Sequence, residues 1–324
     1  MLATIINKAV VQGIPLLYGS TGEIITEKAG NLNLGIPGIM YMGGISGVIG
    51  AYIYEKSVSE PEPFLGIVIT LFSALLGSVL LALIYSFLTI TLRANQNVTG
   101  LALTTFGMGF GDFFGGSLTK IWGVGGNLSV KTTADFFKTP LPFAKDLGWF
   151  GTVFLSYGFL VYLAIVIALI SAFVLKHTKT GLHLRAVGEN PATADAAGIN
   201  VTKYKYFATC IGGAIAGLGG LYFIMDYTGG SWTNGGFGDR GWLAIALVIF
   251  ALWKPNVGIL GSIVFGGLYI AYSYVSGLSR SAIAIFNMLP YVVTIAVLIL
   301  TSIKNKKENQ PPASLGLSYF REER

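Results

Sequence analysis

The sequence predicts an all-α integral membrane protein: a polytopic bundle of about nine helices, between eight and ten, with one short helix outside it. Three observations carry this expectation. Hydrophobic residues make up 53% of the 324 residues and charged residues only 11%, against about 25% charged in an average soluble domain; mean hydropathy is +0.68. Apolar runs of bilayer length, which is about 20 residues, recur along the chain. The 44 glycines fall largely inside those runs. Gly43, Gly44, Gly47 and Gly50 form one series and Gly212, Gly213, Gly217, Gly219 and Gly220 another. Such spacing lets membrane helices approach closely.

Spans are expected near 4–22, 36–54, 64–91, 97–115, 150–175, 206–226, 241–253, 257–275 and 283–303. The seventh is short and the third long. Lys176, Lys179, Arg185, Lys203 and Lys205 fall in the large loop 176–205, and Arg93, Lys254, Lys304, Lys306 and Lys307 in loops on the same side. Glu55, Glu60 and Glu62 lie opposite. The bias of Lys and Arg toward the cytoplasm places the 176–205 loop and the C-terminus inside and, with nine spans, the N-terminus outside. The segment 116–149 also holds Lys120, Lys131, Lys138 and Lys145, but charge in long loops sets orientation weakly. The net charge of +6 follows from the same bias and requires no nucleic-acid partner. Residues 1–303 are therefore expected to form the transmembrane domain, and 304–324 a solvated, mobile cytoplasmic tail. No cleavable signal peptide is expected, because the first run passes into a polar motif without a small-residue cleavage site.

That motif is GEIITEKAGNLNLGIPG, residues 22–38. Asn31 and Asn33 alternate with Leu32 and Leu34, and Gly35-Ile36-Pro37-Gly38 breaks any helix. Irregular backbone at membrane depth is tolerated where it is buried in protein or lines a watery cavity. The motif is thus either a broken element beside a translocation pathway or an ordinary turn between the first two spans.

No catalytic constellation is visible: no HExxH, no GxSxG, no Walker lysine loop, no paired carboxylates inside a span. The energy for any transport must come from a partner or an ion gradient. Ion-coupled carriers place ionisable groups within their spans. Here only Asp112 and Asp226 approach that, both expected at span ends in structural or interfacial roles. Asn97, Thr99, Thr104, Thr105 and Asn287 lie in or near apolar spans. They suit a neutral polyhydroxylated solute and equally suit interhelical hydrogen bonds. Phe106, with Phe110, Phe113 and Phe114, either stacks on a sugar or base or faces lipid and core. With Asn31 and Asn33, these residues are the pathway candidates. Trp122, Trp149, Trp232, Trp242 and Trp253 read as interfacial anchors. Cys210, the lone cysteine, is a packing residue, and His177 and His183 are loop residues without metal-ligand companions.

The most informative stretch is KHTKTGLHLRAVGENPATADAAGINVTKYK, residues 176–205. Asn190 suits an N-cap, Pro191 the first helical position and Gly198 the position past the end. The residues between, Ala192-Thr193-Ala194-Asp195-Ala196-Ala197, favour helix. Two turns are marginal alone in water, so a docking surface is expected to hold them.

GENPATADAAGI, preceded by Leu184-Arg185-Ala186-Val187, resembles the cytoplasmic loop of bacterial ABC importer permeases of the ribose/branched-chain amino acid type. With EKAGNLNLGIPG and with GDRGWLAIALVIFALWKP at 238–255, the resemblance is closer to the nucleoside (basic membrane protein) permeases. The three motifs spread over residues 20–260. Pro37 stands where that family often has an acidic residue and Ala251 where it often has glycine; either marks a subgroup or the second member of a permease pair. The resemblance implies a multi-pass subunit of the bacterial cell membrane that imports a neutral solute, nucleosides first and a sugar as the alternative. It implies three partners: a cytoplasmic ATPase that uses Mg-ATP, a second permease and a lipid-anchored solute-binding protein. No cofactor would be bound by this chain itself. Residues 189–198 would then be the coupling helix, with Arg185, Glu189, Asn190, Pro191, Ala192, Ala194, Asp195 and Gly198 meeting the ATPase. A gradient-driven carrier depending on a carboxylate such as Asp112 is a second class, and a membrane enzyme a third.

Overall fold

Helix α1 (Leu2–Lys28) is the axis around which the chain is built. It packs against α10 (Val201–Tyr222), α12 (Pro255–Ile270), α11 (Arg240–Phe250) and α7 (Phe159–His177). A second layer sets α2 (Ile36–Ser57) and α3 (Pro63–Ser86) on α10, with α4 (Gln96–Ile121) packed on α2, and α13 (Arg280–Lys304) lies against α11 and α12. Shorter helices are α5 (Lys131–Lys138), α6 (Gly148–Phe154), α8 (Lys179–Glu189) and α9 (Pro191–Ala196). This is a computed structural model that describes residues 2–121, 128–140, 147–275, 277–304 and 309–321. Trp122, Lys145, Lys306 and Lys307 lie outside them.

The all-helical class is as predicted, and no strand occurs among the described residues. Among the described residues six segments are long and apolar enough to cross a membrane: α2, α3 with its π-helical turn (Pro63–Thr91), α7, α10 with its π turn (Val201–Tyr227), Pro255–Tyr274 and Ser281–Leu300. α1 and α4 have the length but carry Gln12, Glu23 and Glu27, and Gln96, Asn97 and Asp112. α11 has only 11 residues. The expected fifth span is interrupted: α6 ends at Phe154 and α7 begins at Phe159, after a turn over 155–157 and an extended Gly158.

Small residues set the helix spacing. A Cβ on Gly22 of α1 would overlap the Gly212 carbonyl of α10, and one on Gly220 would overlap the Met40 carbonyl of α2. Backbone there touches backbone, so the glycine series is used for packing. Tyr18 adds a polar tie, its hydroxyl donating to the Leu160 carbonyl of α7 at 2.7 Å. Gly212→Val is expected to lower the thermal stability of the purified protein sharply, since overpacking costs about 1–3 kcal/mol or more where backbone must move. A melting curve superimposable on that of the parent would refute this packing role.

Two expectations fail at the tryptophans. Trp232 and Trp253 are 4% and 7% exposed and are core residues, not anchors. Trp232 stacks edge-on to Tyr41 and donates to Asn234, while Trp253 donates to Glu27. Leu252 and Trp253 both have left-handed backbone, φ 54° and 55°. Each costs about 1–3 kcal/mol unless its surroundings hold it. The buried Trp253–Glu27 bond supplies that hold at the α11–α12 corner.

Candidate functional site

The loop 176–205 folds as two helices joined at one residue. Thr178 caps α8, its Oγ1 accepting from Gly181 N at 3.1 Å. Asn190 ends α8, donating its N–H to Ala186 O at 2.9 Å, and starts α9, its Oδ1 accepting from Thr193 N at 2.9 Å. Pro191 occupies the first turn as expected. Gly198 takes φ +81° past the end, where a Cβ would be strained. Asn200 then caps α10 by accepting from Lys203 N at 2.9 Å. The sequence marks α9 correctly but misses α8, whose stretch GLHLRAVGE sits on buried Leu184 and Val187.

The coupling candidates divide by the direction they face. Ala194 is buried with Val187 and Val201 against Ile199, Tyr204 and Tyr319. Asp195 also faces the protein, accepting from the Tyr319 hydroxyl at 2.8 Å and pairing with Arg321 Nε at 3.2 Å. Arg185, Glu189, Asn190 and Gly198 are exposed, and Pro191 and Ala192 are half-buried. Thr193, Ala196 and Ala197, also exposed, complete a small-residue outer face of α9.

The tail does not behave as a solvated end over 309–321. Ser314 donates both its N–H (3.0 Å) and its Oγ (2.5 Å) to the Gly188 carbonyl at the end of α8. Gly316 N donates to Gly30 O at 3.2 Å. Gln96 donates to Leu317 O at 3.4 Å while its Oε1 accepts from Leu32 N at 2.7 Å. Arg93 lies 4.6 Å above the Phe320 ring, and Lys254 reaches Asn309 at 2.9 Å. This segment thus straps α8 and α9 to the 29–35 loop and the start of α4. Between strap, α9 and Arg93 opens a cleft of ≈ 670 Å³.

The 29–35 loop is the connection between the end of α1 and the start of α2, and it is buried in protein. Asn31 and Asn33 are fully buried. Asn31 Nδ2 donates to Thr209 at 3.0 Å, Asn33 N donates to Glu23 Oε1 at 2.9 Å, and Asn33 Oδ1 accepts from Gly35 N at 2.9 Å. Thr104 Oγ1 donates to Leu34 O at 2.8 Å, and Thr99 is buried nearby on α4. Four of the pathway candidates therefore meet at this loop. Asn97, Thr105 and Phe106 lie on the exposed face of α4, and Asn287 is exposed on α13. None of the eight lines the 670 Å³ cleft.

A pair of carboxylates lies on α1 just beyond the expected span 4–22. α1 continues past residue 22, so Glu23 and Glu27, one turn apart, are both buried on one face of it. Their partners, the Asn33 amide and the Trp253 indole, arrive from elsewhere in the chain. Asp112 is likewise inside α4, where it accepts from Tyr41 and from Gly235 N at 3.4 Å, tying α2, α4 and the 232–239 loop together. Lys205 is buried on α10, and Arg240 is a further buried charge that the sequence did not single out; its position after a Gly-Asp pair and before an apolar run was the available signal. No cluster of three or more metal-ligating groups occurs among the described residues.

A bundle of apolar helices with a capped helix pair outside it defines a multi-pass helical membrane protein. The chain belongs to the family described as the branched-chain amino acid transport system permease component, whose model matches residues 5–300. As a member it is a transport subunit and not an enzyme; ATP hydrolysis in such systems belongs to a separate subunit. It is 30% identical over 303 residues to the nucleoside ABC transporter permease NupC of Lactococcus lactis, covering 92% of each chain. It is 30% identical over 333 residues to the guanosine ABC transporter permease NupQ of Bacillus subtilis, covering 100% of this chain and 98% of that one. A Haloferax volcanii protein provisionally named as a glucose ABC transporter permease is also 30% identical, covering 99% and 98%.

Proposed function

We propose that this chain is a permease subunit of an ATP-driven nucleoside importer, with α8 and α9 as its docking element for a cytoplasmic ATPase. The observation that carries the reading is the outward face of α9: a capped helix, held from behind by Val187, Val201 and the strap, presents the small residues Thr193, Ala196, Ala197 and Gly198 beside its exposed cap Asn190. Small side chains on a rigid helix fit a groove closely, and the exposed Arg185 and Glu189 set its orientation through charge. In this reading the α8–α9 end and the tail are cytoplasmic. A lipid-anchored solute-binding protein delivers at the other end, and a second permease completes the pathway.

ATPase closure would push on α9, and the motion reaches the membrane through Gly188, which abuts the Lys28 carbonyl, and through the strap. The ATPase shifts the permease between states only if it binds them unequally. The loop bearing Asn31 and Asn33 lies next to that contact and would be the inner gate of the pathway, with Thr99 and Thr104 behind it. Asn97, Thr105, Phe106 and Asn287 would face the pathway or the second permease. Vesicles containing all subunits should take up nucleosides only with ATP inside the ATPase compartment. Uptake that survives removal of the ATPase would sink the reading. Uptake of glucose without nucleosides would select the sugar alternative suggested by the haloarchaeal relative.

A further inference from the structure

At the end of the bundle remote from α8 and α9, the first turns of α1, the α10 π turn, α11 and α12 line a second, open cavity of ≈ 550 Å³. That lies within the range of about 300–1,000 Å³ typical of small-molecule sites. Arg240 lines it and is 6% exposed. Nη1 donates to Phe237 O at 2.9 Å and Nη2 to Gln12 Oε1 at 3.0 Å, while the buried Nε has no partner. The guanidinium carbon lies 4.5, 5.2 and 5.0 Å from the ring centroids of Phe223, Tyr227 and Tyr269. Tyr227, Tyr269, Gln12 and Ser273 also line the cavity.

A guanidinium has five N–H donors and no acceptor. Two are used in the bonds above. Among the described residues no carboxylate pairs with Arg240; aromatic faces hold the charge instead. An ionised group buried in protein without an ionic partner is costly to keep. The wall repels cations, offers unused donors and offers tyrosine rings for stacking. A neutral, planar solute carrying ring acceptors satisfies all three features. The adjacent O6 and N7 acceptors of a 6-oxopurine suit a guanidinium, whereas adenine presents a donor beside its N7.

We propose that this cavity is the solute-holding station of the permease and that Arg240 selects 6-oxopurine nucleosides in it. The proposal rests on the reading of the chain as a nucleoside permease and adds the site and its preference. The test is uptake of labelled guanosine and adenosine by the complete reconstituted transporter. Ser273→Phe, which fills the cavity without altering Arg240, should cut guanosine uptake at least about tenfold. Arg240→Gln should shrink the guanosine-to-adenosine ratio by a similar factor, the scale of one good bidentate pair. Loss of folding alone would not move that ratio. Where Arg240→Gln fails to assemble, Ser273→Cys in a Cys210→Ala background replaces it: guanosine should slow its labelling by a thiol reagent. Parent-level guanosine uptake by Ser273→Phe, an unchanged ratio, or labelling indifferent to guanosine would each overturn the proposal while nucleoside transport stands. A parent transporter that takes up no nucleoside would instead overturn the functional reading, and the proposal with it.

Discussion

Ala196→Trp is expected to abolish most ATP-driven uptake while leaving the permease folded. Ala196 is exposed on the outer face of α9 and has no role in holding that helix to the bundle. An indole inserted into a close-fitting contact costs about 1–3 kcal/mol, or roughly 5- to 150-fold in association with the partner. Co-purification of the ATPase with the permease should fall with uptake, and the thermal stability of the isolated permease should not. Ala194→Trp makes the informative contrast. Its Cβ points at Val187, Val201 and Tyr319, so the same indole there should destabilise the permease itself. Gly198→Trp acts through a third route, the strained backbone at φ +81°, and is expected to fray the end of α9. Full uptake and full co-purification by Ala196→Trp would remove α9 from the docking face.

Deleting residues 310–324 should uncouple transport nearly as strongly. The deletion removes both donors to Gly188 O, the donor to Gly30 O, the acceptor for Gln96, and both partners of Asp195 described above. Each neutral hydrogen bond is worth about 0.5–1.5 kcal/mol, and they act together on one small element. α9 itself has six residues, too short to persist without tertiary support. Hydrogen exchange over 188–198 should therefore accelerate in the truncated protein, with uptake lost in parallel. Tyr319→Phe, which removes only one hydroxyl from Asp195, should show a weaker version of both effects. Unaltered exchange in the truncated protein would make the strap a passive ornament.

Much of this architecture is legible in the sequence because its causes are local. Apolar runs place most of the long helices to within a few residues, since length and hydropathy are properties of contiguous chain. Asn190, Pro191 and Gly198 mark α9 because capping and left-handed backbone depend on residues within one turn. The glycine series announces close packing without naming its partners. α8 is missed because GLHLRAVGE carries few apolar residues and becomes helical on a surface that only the fold provides.

What escapes the sequence is whatever depends on a distant partner. Glu23 and Glu27 look like the end of a span because carboxylates in isolation demand water. They stay helical and buried because Trp253, 226 residues from Glu27, and the Asn33 amide donate hydrogen bonds to them. The tail looks mobile because its composition is polar, yet it is ordered by carbonyls at Gly188 and Gly30 that no local pattern reveals. Arg240 gives no local signal of burial, because the three aromatic rings around it come from the π turn after α10 and from α12. The sequence by itself determined a multi-pass helical membrane protein with a short capped helix outside the bundle, since burial in lipid and helix capping are decided residue by residue. Tertiary structure alone decided which charges are buried, what holds α9 in place and where a solute-sized cavity opens. Those outcomes depend on bringing together groups far apart in the chain, and the energy of a buried charge is set by its neighbours in space.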